Sequence, residues 1–187
     1  MSNYKVISRT GHTLRQTLLK AFKNDRELGI QGEQAISFEN PTEAAKQSSN
    51  QLSIWLYHIV ENGFAKNQPM RRRPDGSGQF PPLMLDLYYL ITPLGSVSET
   101  NHLRIGKILE LFYDNAILHM HDPAFDVAEQ LRIVLCTQTI EELTSIWDSL
   151  QEPYRLSVCY RVSITQIDSK RLINVEPVVA RDAEYAS

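Results

Sequence analysis

Residues 81–95 read PPLMLDLYYLITPLG, and this stretch decides the fold. From residue 83 onward, apolar side chains occupy both sets of alternating positions. One set is Leu83, Leu85, Leu87, Tyr89 and Ile91, and the other is Met84, Asp86, Tyr88, Leu90 and Thr92. A strand that is apolar on both sides is typical of a sheet that is covered on both faces. We therefore expect a strand over residues 83–91, covered on one face by the chain's own helices and on the other by a neighbouring subunit.

A second strand is predicted at residues 51–63, which read QLSIWLYHIVENG. Both of its alternating sets are largely apolar: Trp55, Tyr57 and Ile59, and then Ile54, Leu56, His58 and Val60. The two strands are expected to pair as a long hairpin, with the breaker-rich segment RRRPDGSGQFPP at its tip. Within this strand, we interpret His58 as a hydrogen-bonded core or interface residue and not as a catalytic base.

Asp86 is the single acid within the strand at residues 83–91. An isolated buried carboxylate is costly, so this side chain needs a partner. The predicted partner is an arginine, either Arg161 from another strand or one from a neighbouring subunit. No second acid lies at a spacing that would pair with Asp86 for general acid–base catalysis, so we interpret it as a structural or interface residue.

The remaining elements follow from the periodicity of apolar residues. Helices are predicted over residues 5–24, 96–115 and 139–150, and further strands over residues 35–41, 129–138 and 156–165. Two capping boxes are predicted at helix starts: Ser96 with Glu99, and Thr139 with Glu142. The segment HMHDPAFD, residues 119–126, is predicted to be a loop.

This order of elements predicts a single α/β (α+β) domain over residues 1–170. It would contain one mixed, largely antiparallel sheet of four or five strands, with helices mainly on one face. Residues 171–187 show little pattern and are expected to form an extended or mobile C-terminal tail.

Composition and charge narrow the class of protein. The chain has 187 residues, of which 42% are hydrophobic and 22% charged, as expected for one globular domain. No apolar run is long enough to span a bilayer, and the N-terminus lacks the apolar stretch of a secretory signal, so synthesis in the cytoplasm is expected. The two cysteines, Cys136 and Cys159, are interpreted as small buried apolar residues, although a bridge between neighbouring strands is an alternative.

The formal net charge of −3 hides an asymmetry along the chain. Residues 110–152 carry nine acids and one base, Arg132. The most basic stretch is residues 62–74, with Lys66, Arg71, Arg72 and Arg73 and no acid. Oppositely charged regions suit docking to a complementary surface or to copies of the same chain, and simple solvated faces are the alternative.

No arrangement of residues indicates catalysis, a cofactor or a metal. His119 and His121 could ligate a metal with Asp122 or Asp126, but this spacing is weak evidence and surface histidines are the favoured interpretation. The segment PDGSGQ lacks the residues of a phosphate-binding loop and is predicted to be a turn. The arginine cluster lacks the wide basic face of nucleic-acid binders, and the chain's pI is about 6.0, so protein docking is favoured over nucleic-acid binding.

Four segments of the chain resemble the Pvc16-type N-terminal domain family: SNQLSIWLYHIVENGFAKNQ, PPLMLDLYYLITP, HLRIGKILELFYDN and LRIVLCTQTIEELTSIWDSLQEPYRLSVCYRVSITQIDS. The resemblance extends over roughly residues 3–170 and follows the family's order of elements. Some members of that family carry further C-terminal domains, and none is expected within these 187 residues.

The resemblance implies a tail-terminator-like fold and a structural, non-enzymatic function. Members of the family are caps, or tail terminators, of extracellular contractile injection systems. A homo-hexameric ring of such a protein ends the inner tube and engages the last sheath ring of a particle that is free or membrane-associated, without inserting into the membrane itself. We then expect Lys66, Arg71, Arg72 and Arg73, together with the tail, to contact tube or sheath, for example by adding an extended segment to a sheet edge. The alternative is a tail-completion or head–tail connector protein of a DNA-tailed phage.

Overall fold

The computed structural model describes residues 4–23, 25–63, 69–72, 77–122, 127–167 and 172–174. The helices are α1 (Val6–Phe22), α2 (Pro41–Ala45), α3 (Ser98–Asp114) and α4 (Ile140–Ser149), with short 3₁₀ turns at Arg26–Leu28 and Glu33–Ala35. The strands are β1 (Ile36–Ser37), β2 (Leu52–Glu61), β3 (Arg71–Arg72), β4 (Ser77–Gln79), β5 (Leu83–Pro93), β6 (Ile117–Asp122), β7 (Val127–Leu135), β8 (Val158–Ile167) and β9 (Leu172–Asn174). Within these ranges, no helix combines the length and apolarity needed to cross a bilayer.

Six strands form the main sheet, in the order β1-β2-β5-β8-β7-β6. Every neighbouring pair is antiparallel except β1 with β2, which is parallel. The predicted mixed, largely antiparallel sheet is therefore confirmed, as is the hairpin between β2 and β5. A second sheet of three short strands, in the order β3-β4-β9, lies outside this arrangement.

The main sheet has one strand more than predicted, because residues 117–122 form β6 and not a loop. His119 and His121 lie on this edge strand, opposite Gln130 and Ala128 of β7. Met120 points to the core and is buried, whereas His119 on the other side is exposed. The strand alternates as an edge strand should, but its polar and charged residues favoured the loop interpretation.

One face of the main sheet is covered by α1 and α3. Their apolar stripes and the inward positions of the strands form one core cluster, which includes Leu14, Leu18, Phe22, Ile105, Ile108, Phe112, Leu87, Tyr89, Ile91, Tyr160 and Val162. The ring of Phe112 meets the ring of Tyr160 edge to face, with centroids 5.0 Å apart. The predicted stripes of both helices are therefore confirmed, and they cover the face that carries Leu85, Leu87, Tyr89 and Ile91.

The two predicted capping boxes had different outcomes. At the start of α4, the Glu142 amide donates to Thr139 Oγ1 at 3.2 Å and the Thr139 amide donates to Glu142 Oε2 at 2.9 Å, so this box is confirmed. The box between Ser96 and Glu99 is wrong, because α3 begins at Ser98 after Val97 in extended conformation. Asn101 Nδ2 instead donates to the Gly95 carbonyl at 2.8 Å and holds the chain just ahead of the helix.

Arg104 joins three segments of the fold from the buried side of α3. Its side chain is only 3% exposed. Nε donates to the Leu28 carbonyl at 2.8 Å, and Nη2 donates to Gln51 Oε1 at 2.8 Å. Nη1 lies 3.3 Å from both the Gln51 carbonyl and Asn101 Oδ1. Because all of these acceptors are uncharged, burial lowers the pKa of the guanidinium.

Replacing Arg104 with methionine should lower the free energy of unfolding by about 3 kcal/mol, because the Leu28 carbonyl would be left buried without a donor and the half-buried side-chain oxygen of Gln51 would lose one. Urea denaturation measures this loss. The matched control is Arg155→Met, which removes an arginine at the surface that lies 3.4 Å from Glu152 and should change stability by less than about 0.5 kcal/mol. Equal losses in the two variants would contradict the role assigned to Arg104.

Candidate interface on the open sheet face

The main sheet has a second face, opposite α1 and α3, which we call the open face. Strand register and alternation assign side chains to it. They are Trp55, Tyr57, His58, Val60, Met84, Asp86, Tyr88, Leu90, Thr92, Arg132, Val134, Cys159, Arg161 and Ser163. The sequence predicted that a neighbouring subunit covers this face.

A β-bulge in β2 changes which residues reach the open face. The register between β2 and β5 shifts between Leu56 and His58, so that β2 has one extra residue at Tyr57. After the bulge, His58 lies opposite Tyr88 and Val60 lies opposite Asp86, both on the open face. The uniform alternation predicted for residues 54–60 is therefore wrong beyond Tyr57, since an extra residue inverts the pattern that follows it.

The bulge gathers three rings on the open face. The Tyr88 ring lies 5.5 Å from the His58 ring and 6.3 Å from the Tyr57 ring, measured between centroids. His58 is exposed at the edge of this group, whereas Tyr57 and Tyr88 are half-buried. Burial raises the pKa of the Tyr57 hydroxyl, which stays protonated at neutral pH.

Part of the open face is covered by the segment that leads from β7 to β8. Gln138 Nε2 donates to Tyr57 Oη at 3.0 Å, and that oxygen lies 3.1 Å from Cys159 Sγ. At the far end of the segment, Trp147 of α4 is buried and its Nε1 donates to Ser157 Oγ at 3.3 Å. The chain itself therefore covers some of the surface that the sequence assigned to a neighbouring subunit.

Asp86 is buried, with 8% of its surface exposed, and it is bonded within its own sheet. Ser163 Oγ donates to Asp86 Oδ1 at 2.6 Å, and Asn62 Nδ2 lies 3.2 and 3.3 Å from the two carboxylate oxygens. The predicted ion pair with Arg161 does not form in the part of the chain that is described. In the register of β5 with β8, Ser163 lies directly opposite Asp86, whereas Arg161 lies opposite Tyr88. Pairing of Asp86 with an arginine of a neighbouring subunit stays a prediction.

Arg161 has a different environment from Asp86. Its side chain is half-buried, and its Nε is buried without a hydrogen-bond acceptor. It lines a shallow cavity of about 310 Å³ together with Tyr88, Val134, Leu135, Cys136 and Thr137. No acidic side chain of the described residues forms a salt bridge with it. A half-buried guanidinium of this kind has donors available for an acceptor from another molecule.

An apolar groove lies on the helix-covered side of the main sheet, between the end of α3 and the end of β7. It has a volume of about 570 Å³, and Phe112, Ile133 and Tyr160 are among the residues that line it. Two large apolar side chains at its rim are strongly exposed: Tyr113 at 87% and Leu135 at 50%. Val134 and Leu135 line both this groove and the Arg161 cavity, so the two meet at the end of β7. Sequence reasoning missed this groove, because it depends on how α3 packs beside β7.

The predicted basic site is described only in part. Arg71 and Arg72 form β3, which pairs with β4, and β4 pairs with Leu172–Asn174 of β9. Lys66 and Arg73 lie outside the described residues. The structure therefore brings the backbone of two of these arginines into the same small sheet as the start of the predicted tail. Their binding to a partner stays a prediction.

The remaining polar residues do not assemble a catalytic or metal site. Among the described residues, no group of three or more histidine, cysteine, aspartate or glutamate side chains is placed to hold a metal ion. His119 and His121 are two residues apart on the edge strand β6, and Asp126 lies outside the described residues. The features that remain are contact features: apolar area, aromatic rings and Arg161, which has no salt-bridge partner in the described part of the chain.

Comparisons with known proteins identify the family of the chain and similar folds. Residues 10–181 match the model of the Pvc16 N-terminal domain. The fold is similar to that of a PVC sheath/tube terminator from an extracellular contractile injection system in its extended state, with a TM-score of 0.64 and 16% identity over 100% of this chain and 67% of that chain. It is also similar to the tube-terminating cap of the anti-feeding prophage, with a TM-score of 0.56 and 15% identity over 99% of this chain and 62% of that chain. A search of curated proteins gave no match.

Replacing Ser163 with alanine should lower the free energy of unfolding by about 1–2 kcal/mol, because the buried Asp86 carboxylate would lose its shortest hydrogen bond. Chemical denaturation at neutral pH measures the loss. Ser145→Ala is the matched control, because Ser145 is exposed on α4 and its hydroxyl donates to the Glu141 backbone carbonyl at 2.9 Å. A Ser163 variant as stable as the control would show that Asp86 does not depend on this bond.

Proposed function

The chain belongs to the Pvc16 N-terminal domain family, and from this membership we propose that it is a structural cap, or tail terminator, of a contractile injection system. In this role it ends the inner tube and engages the last ring of the sheath. The observation that carries the proposal is the coverage of the match: all of this chain aligns with a solved protein described as a sheath/tube terminator. The partners are thus tube, sheath and further copies of the chain.

A terminator must meet a geometric requirement at the end of the tube. One of its faces must match the end of the tube, and the other must present no copy of that end, since the polymer would otherwise continue. A homo-hexameric ring satisfies this requirement if the contact between copies closes after one turn. Such a role needs docking surfaces and no catalytic group. The described residues offer docking surfaces of two kinds.

The first kind is the surface around the end of β7, formed by the groove and the Arg161 cavity, which we assign to the contact between copies. Tyr113, Val134 and Leu135 provide exposed apolar area there. Arg161 provides a cation that has no salt-bridge partner among the described residues, and the acid-rich residues 110–152 of a neighbouring copy provide carboxylates. Buried apolar area with one charged pair is typical of a specific interface.

The second kind is the basic hairpin of β3 and β4 with the strand β9 beside it, which we assign to tube or sheath. Lys66, Arg71, Arg72 and Arg73 give this region its positive charge. β9 adds to the edge of β4 within the chain, which is the form of contact expected of a segment that also pairs with a partner's sheet. Assembly takes place in the cytoplasm, where the chain is synthesised.

Replacing Tyr113 and Leu135 with glutamate should prevent ring formation and leave the monomer folded, because both side chains are exposed in the single chain. Loss of an aromatic anchor in an interface costs about 2 kcal/mol, which corresponds to a roughly thirtyfold higher concentration for half-assembly. Light scattering after gel filtration, with and without tube ends, measures this shift. The control is Leu103→Glu, at the other end of α3 and 47% exposed. Equal assembly of all three proteins would remove the surface from the ring contact.

Imaging of particle ends by electron microscopy tests the proposed function itself. Particles assembled without this chain should have open ends and uncontrolled tube lengths, and adding the purified chain should restore a density at one end. Replacing Arg71, Arg72 and Arg73 with glutamate should reduce that density while the protein stays folded, since the charge that binds tube or sheath is reversed. Capped particles of normal length without the chain would overturn the function, whereas capped particles with the arginine variant would only remove the basic hairpin from it.

A further inference from the structure

The two cysteines of the chain are placed opposite each other at the ends of β7 and β8. Leu135, the last residue of β7, pairs with Tyr160 of β8, so Cys136 and Cys159 form the next pair in the register. The Cys136 amide donates to the Cys159 carbonyl at 2.9 Å, which continues the ladder to this pair. Residues opposite each other in antiparallel strands have Cα atoms about 4.5–5.5 Å apart. A disulfide spans Cα separations of about 4.4–6.8 Å, so this placement suits one.

The two thiols have unequal environments. Cys159 is 3% exposed, and its Sγ lies 3.1 Å from Tyr57 Oη. Cys136 is half-exposed and lines the Arg161 cavity, from which a small oxidant can reach it. A hydrogen bond from the Cys159 thiol, helped by the nearby Arg161 guanidinium, lowers the pKa of Cys136. The hydrogen bond to Cys136 and burial raise the pKa of Cys159, so Cys136 is the thiol that ionises first.

We propose that Cys136 and Cys159 form a reversible intramolecular disulfide when the folded chain meets a peroxide. The Cys136 thiolate attacks one peroxide oxygen, the O–O bond breaks, and water leaves after protonation, which gives a sulfenic acid at Cys136. The Cys159 thiol then attacks that sulfur, the S–S bond forms and the S–O bond breaks, and a second water leaves. Two thiols lose two electrons in total, and hydrogen peroxide takes them up. The inference is independent of the proposed function.

The disulfide would close the loop of 22 residues from Thr137 to Val158, which carries α4. That loop covers part of the open face through Gln138, which bonds Tyr57 of β2, so the disulfide would fix this cover to the sheet. In a reducing compartment the pair stays as thiols, as it is in this structure. Outside such a compartment, the same pair would limit local opening of α4.

The test uses the purified full chain treated with hydrogen peroxide, followed by thiol counting and peptide mass mapping without reductant. We expect both thiols to disappear together, one peptide pair linked through Cys136 and Cys159 that is lighter by two hydrogen atoms, and a thermal midpoint raised by about 5 °C. Reductant should reverse all three changes. Cys136→Ser and Cys136→Ala should show no change in thermal midpoint on oxidation, and both variants keep the buried Cys159.

Three results would overturn the proposal. The first is a Cys136 that still reacts with iodoacetamide after the oxidant is removed. The second is a disulfide found only between two chains. The third is a sulfinic acid at Cys136 with Cys159 still reduced, which would show that the second thiol does not reach the first.

Discussion

The structure depends on one constraint: both faces of β5 must be shielded from water. This strand lies between β2 and β8 in the middle of the main sheet, and its residues from Leu85 onward are buried on both faces with the exception of the half-buried Tyr88. On one face, α1 and α3 exclude water. On the other, Leu90 and Thr92 are fully buried, and Asp86 is accommodated by hydrogen bonds from Ser163 and Asn62. If β5 were polar, neither of its faces would need to be shielded from water.

Much of this arrangement could be predicted from local patterns. The alternation in β5 and β8 and the stripes of α1 and α3 depend on residues close in sequence, so they identified the elements and the mixed sheet. β6 was missed because its outward residues are polar and its inward residues are few, so its six residues carried little apolar signal. The bulge at Tyr57 was missed for another reason: a single extra residue is decided by the pairing with β5 and not by the strand's own sequence.

The candidate site was predictable to a smaller extent. Sequence reasoning identified Asp86 and Arg161 because each is a charged residue within an apolar strand, and it offered Arg161 as one of two possible partners of Asp86, beside an arginine of a neighbouring subunit. Register decides the pairing, and it places Ser163 beside Asp86 and leaves Arg161 without an acceptor among the described residues. Arg104 and the groove at Tyr113 carried no sequence signal, because each depends on contacts between segments far apart in the chain. The family resemblance was confirmed by the match over residues 10–181.

Because β9 pairs with β4, the small sheet can transmit a mechanical force to the main sheet. β4 leads into β5 through Phe80, Pro81 and Pro82. The ring of each proline restricts its φ angle, so this connection is stiffer than one of other residues. Tension applied beyond Asn174 therefore acts first as shear on the three residue pairs between β9 and β4. From there it passes through the two prolines to β5, which is buried on both faces from Leu85 onward except at Tyr88. A force applied to the end of the small sheet would therefore act on β5, a strand that the core holds in place on both faces.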